Sequence, residues 1–171
     1  MKQSFTSAAT SINSGKLPRV YGKIQPQRGD IILDYGCGRF TDHIAAALPA
    51  GVQYLPYDPF NQPQHVNDNT RRRAQEAQRQ HKPVTVICSN VLNVIDSDDA
   101  VAAVAADLMT IAQRTGGAVY VTVYAGNNSG EGHQTGPDQY QRNQPLREYL
   151  QFFPGAEIKR GMIVYRPTMG R

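Results

Sequence analysis

The stretch IILDYGCG, residues 31–38, decides the fold of this chain. Its first five residues are typical of a buried strand, and Gly36 and Gly38 follow where that strand ends. Glycines at this point let the backbone turn sharply and approach a ligand closely. Open α/β sheets bind ligands at the carboxyl ends of their strands, so this stretch predicts both such a sheet and a binding site at its edge.

Around this stretch, apolar runs alternate with helix-forming segments, which is typical of a parallel sheet with crossover helices. Strands are predicted at residues 31–35, 52–57, 84–88 and 118–124, with an antiparallel C-terminal hairpin at 156–159 and 162–166. Helices are predicted at residues 41–48, 65–80, 100–113 and 146–153. We therefore expect one α/β domain over residues 1–171, with a Rossmann-like, mostly parallel sheet and helices on both faces.

Two segments fall outside this alternation. Residues 125–143 are rich in glycine and amides and show neither helical nor strand periodicity, so they are expected to form a long active-site loop. Residues 1–28 are a candidate N-terminal lid. The run Asp96-Ser97-Asp98-Asp99 supplies a cap hydroxyl and acids, and these acids are assigned to capping of the next helix rather than to catalysis.

Charge and hydropathy bear on the partners and the location that the sequence predicts. The 18 basic and 14 acidic residues give a formal charge of +4, and the densest basic cluster, Arg71 to Arg73, is interpreted as a solvated helix face. A nucleic-acid partner stays open, although no strong basic patch indicates one. Residues 1–16 lack the pattern of a signal peptide, and no apolar run is long enough to span a membrane, so a cytoplasmic protein without a membrane partner is expected.

Cysteine and histidine usage adds two further expectations. The two cysteines, Cys37 and Cys88, are expected to be reduced, buried thiols. The four histidines are scattered without a repeated cysteine or carboxylate partner, so no metal site is predicted.

An acidic residue follows the second predicted strand. Asp58 lies 24 positions after Asp34, and an acid about 20 residues beyond a glycine loop is placed to accept hydrogen bonds from the hydroxyls of a ribose. The glycine loop and this acid together predict a site for a nucleoside cofactor.

The spacing of the glycines bears on which cofactor this is. A dinucleotide fingerprint requires G-x-G-x-x-G, and here the third position is Thr41. Asp34, two residues before Gly36, would also repel a pyrophosphate, whereas it would attract a ligand that carries an ammonium and a sulfonium. S-adenosylmethionine carries both groups.

With these residues the chain resembles the class I S-adenosylmethionine-dependent methyltransferases. In that family an acid and a G-x-G loop end the first strand, and Asp34, Gly36 and Gly38 match this motif, with Phe40 where a third glycine is common. Asp58 matches the ribose-binding acid. The resemblance implies a reduced class I methyltransferase fold with one strand–helix unit fewer, and S-adenosylmethionine as the cofactor.

The resemblance also implies further contacts with the cofactor. Residues 89–95, with Asn90 and Val91 at their start, resemble the family's third contact segment. Lys16, in the candidate lid, is expected to reach the carboxylate of the cofactor. Residues 11–18, taken with the motifs above, resemble small uncharacterised methyltransferases of phages and bacterial mobile elements.

The methyl acceptor stays open among a small molecule, a nucleic acid and a protein. Neither the Asn/Asp-Pro-Pro-aromatic motif of amino-methylating DNA enzymes nor the Pro-Cys motif of cytosine ring-carbon enzymes is present. The candidates for an acceptor-side role are Asn90, Tyr124 and His133, of which His133 is the candidate general base. The alternatives to a methyltransferase are a non-catalytic S-adenosylmethionine-binding module or partner subunit, and a nicotinamide oxidoreductase, which the missing third glycine disfavours.

Overall fold

The computed structural model describes residues 3–7, 15 and 17–168. Its strands are β1 Ile31–Tyr35, β2 Gln53–Tyr57, β3 Val84–Ser89, β4 Val119–Thr122, β5 His133–Gly136, β6 Gln139–Gln141, β7 Glu157–Lys159 and β8 Met162–Tyr165. Its α-helices are α1 Arg19–Ile24, α2 Asp42–Ala47, α3 Gln64–Arg79, α4 Asp98–Thr115 and α5 Leu146–Tyr149. Two 3₁₀ turns cover Leu92–Val94 and Leu150–Phe152.

Six of these strands form one sheet in the order β2-β1-β3-β4-β8-β7. The first four strands of this order are parallel, and β8 and β7 pair antiparallel at one edge. The prediction of a mostly parallel α/β sheet that ends in an antiparallel hairpin is therefore confirmed. All five residues of β1 are buried, because this strand has a parallel neighbour on each side and helices over each face.

Two apolar clusters cover the two faces of the sheet. Leu33 of β1 belongs to the first cluster, which includes side chains of α3 and α4. Ile32, its neighbour, points to the other face and packs with Tyr21 of α1 and Ile44 of α2. Helices thus lie on both faces, as predicted.

The N-terminus of α4 is capped as its sequence indicated. Ser97 has an extended backbone, and its hydroxyl accepts a hydrogen bond from the backbone N–H of Ala100 at 3.4 Å. Asp98 and Asp99 lie in the first turn, where carboxylates are favourable.

The expectation that residues 125–143 lack strands is wrong. They contain β5 and β6, which form a separate two-stranded antiparallel sheet. Both strands are polar, and none of their residues is buried. The apolar–polar alternation that marks a half-buried strand is therefore missing from this part of the sequence.

Part of the candidate lid is core instead. Residues 19–24 form α1, whose Val20 and Tyr21 are buried against the sheet. Residues 3–7 lie against the β5–β6 hairpin, where the Phe5 and Tyr140 rings stack with centroids 5.7 Å apart. Lys16, the predicted cofactor contact in this region, lies outside the described residues.

Over the described ranges, no helix has both the length and the apolar character that crossing a membrane requires.

Candidate functional site

A cleft of about 830 Å³ opens at the carboxyl ends of β1, β3 and β4. The chain leaves β1 toward β2 on one side and returns to β3 on the other, so β1 and β3 form a topological switch point, where open α/β sheets bind ligands. The predicted site residues that line this cleft are Asp34, Gly36, Gly38, Asp58, Asn90, Val91 and Tyr124.

The glycine loop forms the floor of the cleft and needs glycine at Gly36. Gly36 has φ +76°, and its N–H donates to the carbonyl of Tyr57 at 2.7 Å. A Cβ atom at Gly36 would lie 2.3 Å from Cγ2 of Val91, so the loop and the segment after β3 could not approach so closely with any other residue. Val91 thus lies against the loop and lines the cleft beside it.

Asp58 braces this loop against the turn that follows β2. Its Oδ2 accepts from the N–H of Gly38 at 3.0 Å, and its Oδ1 accepts from the N–H groups of Phe60 and Asn61 at 2.9 Å each. The Asn61 side-chain amide donates to both oxygens at 3.2 Å. A carboxylate offers about four lone-pair sites, and in Asp58 protein donors already occupy them.

Asn61 is a cleft residue that the sequence analysis missed. Its Oδ1 is buried and accepts no hydrogen bond, which ordinarily costs about 1–3 kcal/mol. A ligand hydroxyl that donates to this oxygen would remove that cost. Asp58 and Asn61 thus form a hydrogen-bonded pair beside the glycine loop, in which the Asn61 oxygen keeps its capacity to accept.

Asp34 is a buried carboxylate held by two tyrosines. Its Oδ2 accepts from the hydroxyl of Tyr21 at 2.8 Å and from that of Tyr54 at 3.0 Å. Burial raises the pKa of Asp34 to about 6, although the two tyrosine hydrogen bonds act to lower it, and the nearby charge of Asp58 raises it further. A cation in the cleft would favour the ionised form of Asp34.

Asn90 and Tyr124 lie at the ends of adjacent strands. Asn90 has φ +58°, and its N–H donates to the carbonyl of Thr122 at 2.9 Å. Its exposed side-chain amide lines the cleft and has no hydrogen-bond partner among the described residues. The Tyr124 side chain is 62% exposed, so both groups are accessible to a ligand.

The structure does not bring His133 to the cleft. His133 lies on β5, where its Nδ1 is 3.0 Å from the side-chain amide of Asn143. No residue of 125–143 lines the cleft. The hairpin instead contacts Thr6, which does line the cleft and whose N–H donates to Asp138 at 2.8 Å. The expectations of an active-site loop at 125–143 and of His133 as its general base have no support in this geometry.

Two cations line the cleft near α1. Arg19 and Lys23 both border it, and neither belongs to any of the three ion pairs among the described residues. The ring of Phe60, 46% exposed, lies beside Asp58 on the opposite part of the wall. Sequence analysis missed all three, because an isolated cation or ring carries no local signal until the fold places it beside a cavity.

No protein-family model, curated protein or solved structure matches this chain. Nothing in the described ranges groups three or more histidine, cysteine or carboxylate side chains in a way that could hold a metal ion. Cys37 lines the cleft and Cys88 is buried, and burial raises the pKa of both thiols, so neither is a reactive thiolate.

Proposed function

We propose that this chain binds S-adenosylmethionine in the cleft and is a methyltransferase. One observation carries the proposal: the cleft lies at the switch point of β1 and β3, with a glycine loop on its floor and a carboxylate on each side of that loop. Its volume of about 830 Å³ falls within the range of about 300–1,000 Å³ that is usual for ligand sites.

The charges and polar groups of the cleft suit this cofactor part by part. Asp34 provides a carboxylate for a cationic ligand, and Arg19 provides a cation for a ligand carboxylate. Asn61 offers an unpaired acceptor to a ribose hydroxyl. Phe60 offers an exposed ring on which an adenine can stack.

Bound S-adenosylmethionine supplies an electrophilic methyl group. The task left to the protein is chiefly to align donor and acceptor, and a base is needed only if the acceptor must lose a proton. Asn90 and Tyr124 are the accessible groups beside the cofactor region that can position an acceptor.

A non-catalytic S-adenosylmethionine-binding module is the second candidate, because both carboxylates that line the cleft are already hydrogen-bonded and His133 lies outside it. Formation of S-adenosylhomocysteine with any acceptor distinguishes the two candidates. A binding module would retain the cofactor without turnover.

Calorimetric titration with S-adenosylmethionine tests the proposal. Asp58→Ala is a poor probe, because it would remove the brace of the glycine loop along with any ligand contact. Phe60→Ala is better, since its half-exposed ring can be deleted without opening the core. We expect the wild type to bind at micromolar concentration and Phe60→Ala to bind about tenfold more weakly, the scale of one lost aromatic contact.

Ile158→Ala is the matched control. Ile158 is exposed to a similar degree, at 43%, but lies on β7 and does not line the cleft. This variant should bind as the wild type does. Absence of binding by the wild type, or equal weakening in both variants, would contradict the proposal.

A further inference from the structure

One corner of the cleft combines an exposed aromatic ring with unpaired cations. β8 runs antiparallel to β4 with Ile163 opposite Val121, so the turn before β8, at Arg160 and Gly161, lies at the carboxyl end of β4. Tyr124 follows β4 at that same end. Gly161 and Tyr124 both line the cleft, so the turn and the Tyr124 ring lie at the same end of it.

Lys23 adds α1 to this corner. Its Nζ donates to the carbonyl of Arg160 at 2.7 Å, so the lysine is held at the turn. Lys159 and Arg160 do not themselves line the cleft, but both are exposed next to Gly161, which does. We call Lys23, Lys159 and Arg160 the cationic corner; none of them belongs to an ion pair among the described residues.

The two carboxylates that line the cleft lie at its floor, not at this corner. Asp34 is 4% exposed and Asp58 is 5% exposed, and both are engaged by protein donors. The cleft is thus acidic inside and cationic at one part of its rim. A ligand that spans both regions would place neutral or cationic groups inside and negative charges outside.

We propose that Tyr124 and the cationic corner bind a single-stranded nucleic acid, which would be the acceptor class under the function proposed above. Phosphates would lie against the cationic corner, and one base would stack on the Tyr124 ring. The free amide of Asn90 can both donate to and accept from the edge of that base. A duplex is disfavoured because its bases are already stacked and cannot reach the ring.

An acidic peptide shares the charge of a nucleic acid but not its chemistry. Its carboxylate side chains would use the cations, but they have no flat face to stack on the ring, whereas every unit of a nucleic acid joins a phosphate to a base that stacks and carries a hydrogen-bonding edge. The combination of ring, amide and cations therefore favours a nucleic acid over a carboxylate-rich chain.

The test measures fluorescence anisotropy of a labelled, mixed-sequence DNA strand of about 15 nucleotides, within the span of one such surface. Binding should be saturable, and it should weaken as salt rises from about 50 to 200 mM. The duplex of the same sequence should bind at least about tenfold more weakly. Polyglutamate in excess should not displace the strand.

Two matched pairs of variants assign the contacts. Tyr124→Leu should weaken binding about tenfold while Tyr124→Phe keeps it, because stacking requires a ring. Lys159→Gln combined with Arg160→Asn should lower the slope of log affinity against log salt by about 1.4, since each phosphate contact on a single strand contributes about 0.7. Asparagine suits position 160, where φ is +52°.

The control for charge is Arg73→Gln combined with Arg79→Gln, which removes two exposed cations that belong to no ion pair among the described residues and lie on α3, a helix that contributes no residue to the cleft. It should leave the salt slope unchanged. Equal loss in both double variants, displacement by polyglutamate, or wild-type affinity in Tyr124→Leu would overturn the inference.

S-adenosylmethionine binding is measured in the same samples, so the two proposals fail separately. A protein that binds the cofactor but not the strand contradicts only the nucleic-acid inference. A protein that binds the strand in the expected manner but not the cofactor supports the surface and contradicts the proposed methyltransferase.

Discussion

Asp34 and Asp58 both lie on the floor of the cleft, but different hydrogen-bond donors hold the two carboxylates. Backbone and amide N–H groups satisfy Asp58, which makes it a brace for the glycine loop. Two tyrosine hydroxyls hold Asp34 in a buried position, and burial raises its pKa to about 6. The charge of Asp34 should therefore respond to pH closer to neutrality than that of an ordinary aspartate.

Stability should depend on pH through Asp34. Because its pKa rises from 3.8 to about 6 on folding, the folded protein holds this proton more tightly than the unfolded chain. The resulting stability is complete below about pH 4 and is lost as pH rises through about 6. Relative to Asp34→Asn, which keeps an oxygen for both tyrosines, the wild type should lose about 2–3 kcal/mol of unfolding free energy from about pH 4 to 7.

Urea denaturation of both proteins across this range measures the difference. The Asp34→Asn variant is the control for the wild type, because the two proteins share every other titrating group. Parallel stability profiles for the two proteins would show that Asp34 does not titrate in this window.

At the scale of elements, a buried arginine attaches the β5–β6 hairpin to the domain. Arg142 follows β6 and is only 7% exposed. Its guanidinium donates to the carbonyl of Ile95 at 3.0 Å, to Gln144 at 2.9 Å and to Asp98 at the start of α4. The hairpin has no apolar core of its own, so these bonds are a large part of what holds it.

Arg142→Gln should destabilise the protein by about 2–4 kcal/mol, because it leaves a buried carbonyl without a donor and breaks a partly buried ion pair. The hairpin should also become the first site of cleavage in limited proteolysis. Arg147→Gln is the control: Arg147 is exposed on α5, and its loss should change stability by less than about 0.5 kcal/mol. Equal protease resistance in the two variants would show that the hairpin is held by other contacts.

At the scale of the whole molecule, the cleft joins elements from both faces of the sheet. Its wall includes Arg19 and Lys23 of α1 on one face and Val104 of α4 on the other. The two apolar clusters take alternate residues of β1, such as Leu33 and Ile32, and so lie on opposite faces of the sheet. A ligand in the cleft would therefore contact helices on both faces of the sheet, α1 on one and α4 on the other.

Ligand binding should consequently stabilise the domain as one unit. At about 100 times its dissociation constant, S-adenosylmethionine should raise the free energy of unfolding by about 2.7 kcal/mol. Denaturation followed by both far-ultraviolet circular dichroism and tyrosine fluorescence should give coincident midpoints that shift together. An unchanged midpoint, or a shift in one signal alone, would show that the ligand does not bind across both faces.

Much of the fold was determined by local sequence. The run at residues 31–35 predicts β1 because five apolar-rich residues end in glycines, and every one of them is buried in the sheet. The hairpin of β5 and β6 was not predictable in the same way, because polar, unburied strands carry no alternation and are defined by long-range bonds such as those of Arg142.

The candidate site likewise has features that local sequence predicted and features that depend on long-range contacts. Sequence by itself determined that Asp34, Gly36, Gly38 and Asp58 would meet at one sheet edge, because residues at or just after the carboxyl ends of parallel strands share that edge. Only the tertiary structure decided that Tyr21 and Tyr54 would hold Asp34, that Asn61 would keep an unpaired oxygen, and that His133 would lie elsewhere. Spacing along a strand is a local property, whereas the partner of a side chain depends on elements that are distant in sequence and adjacent only after folding.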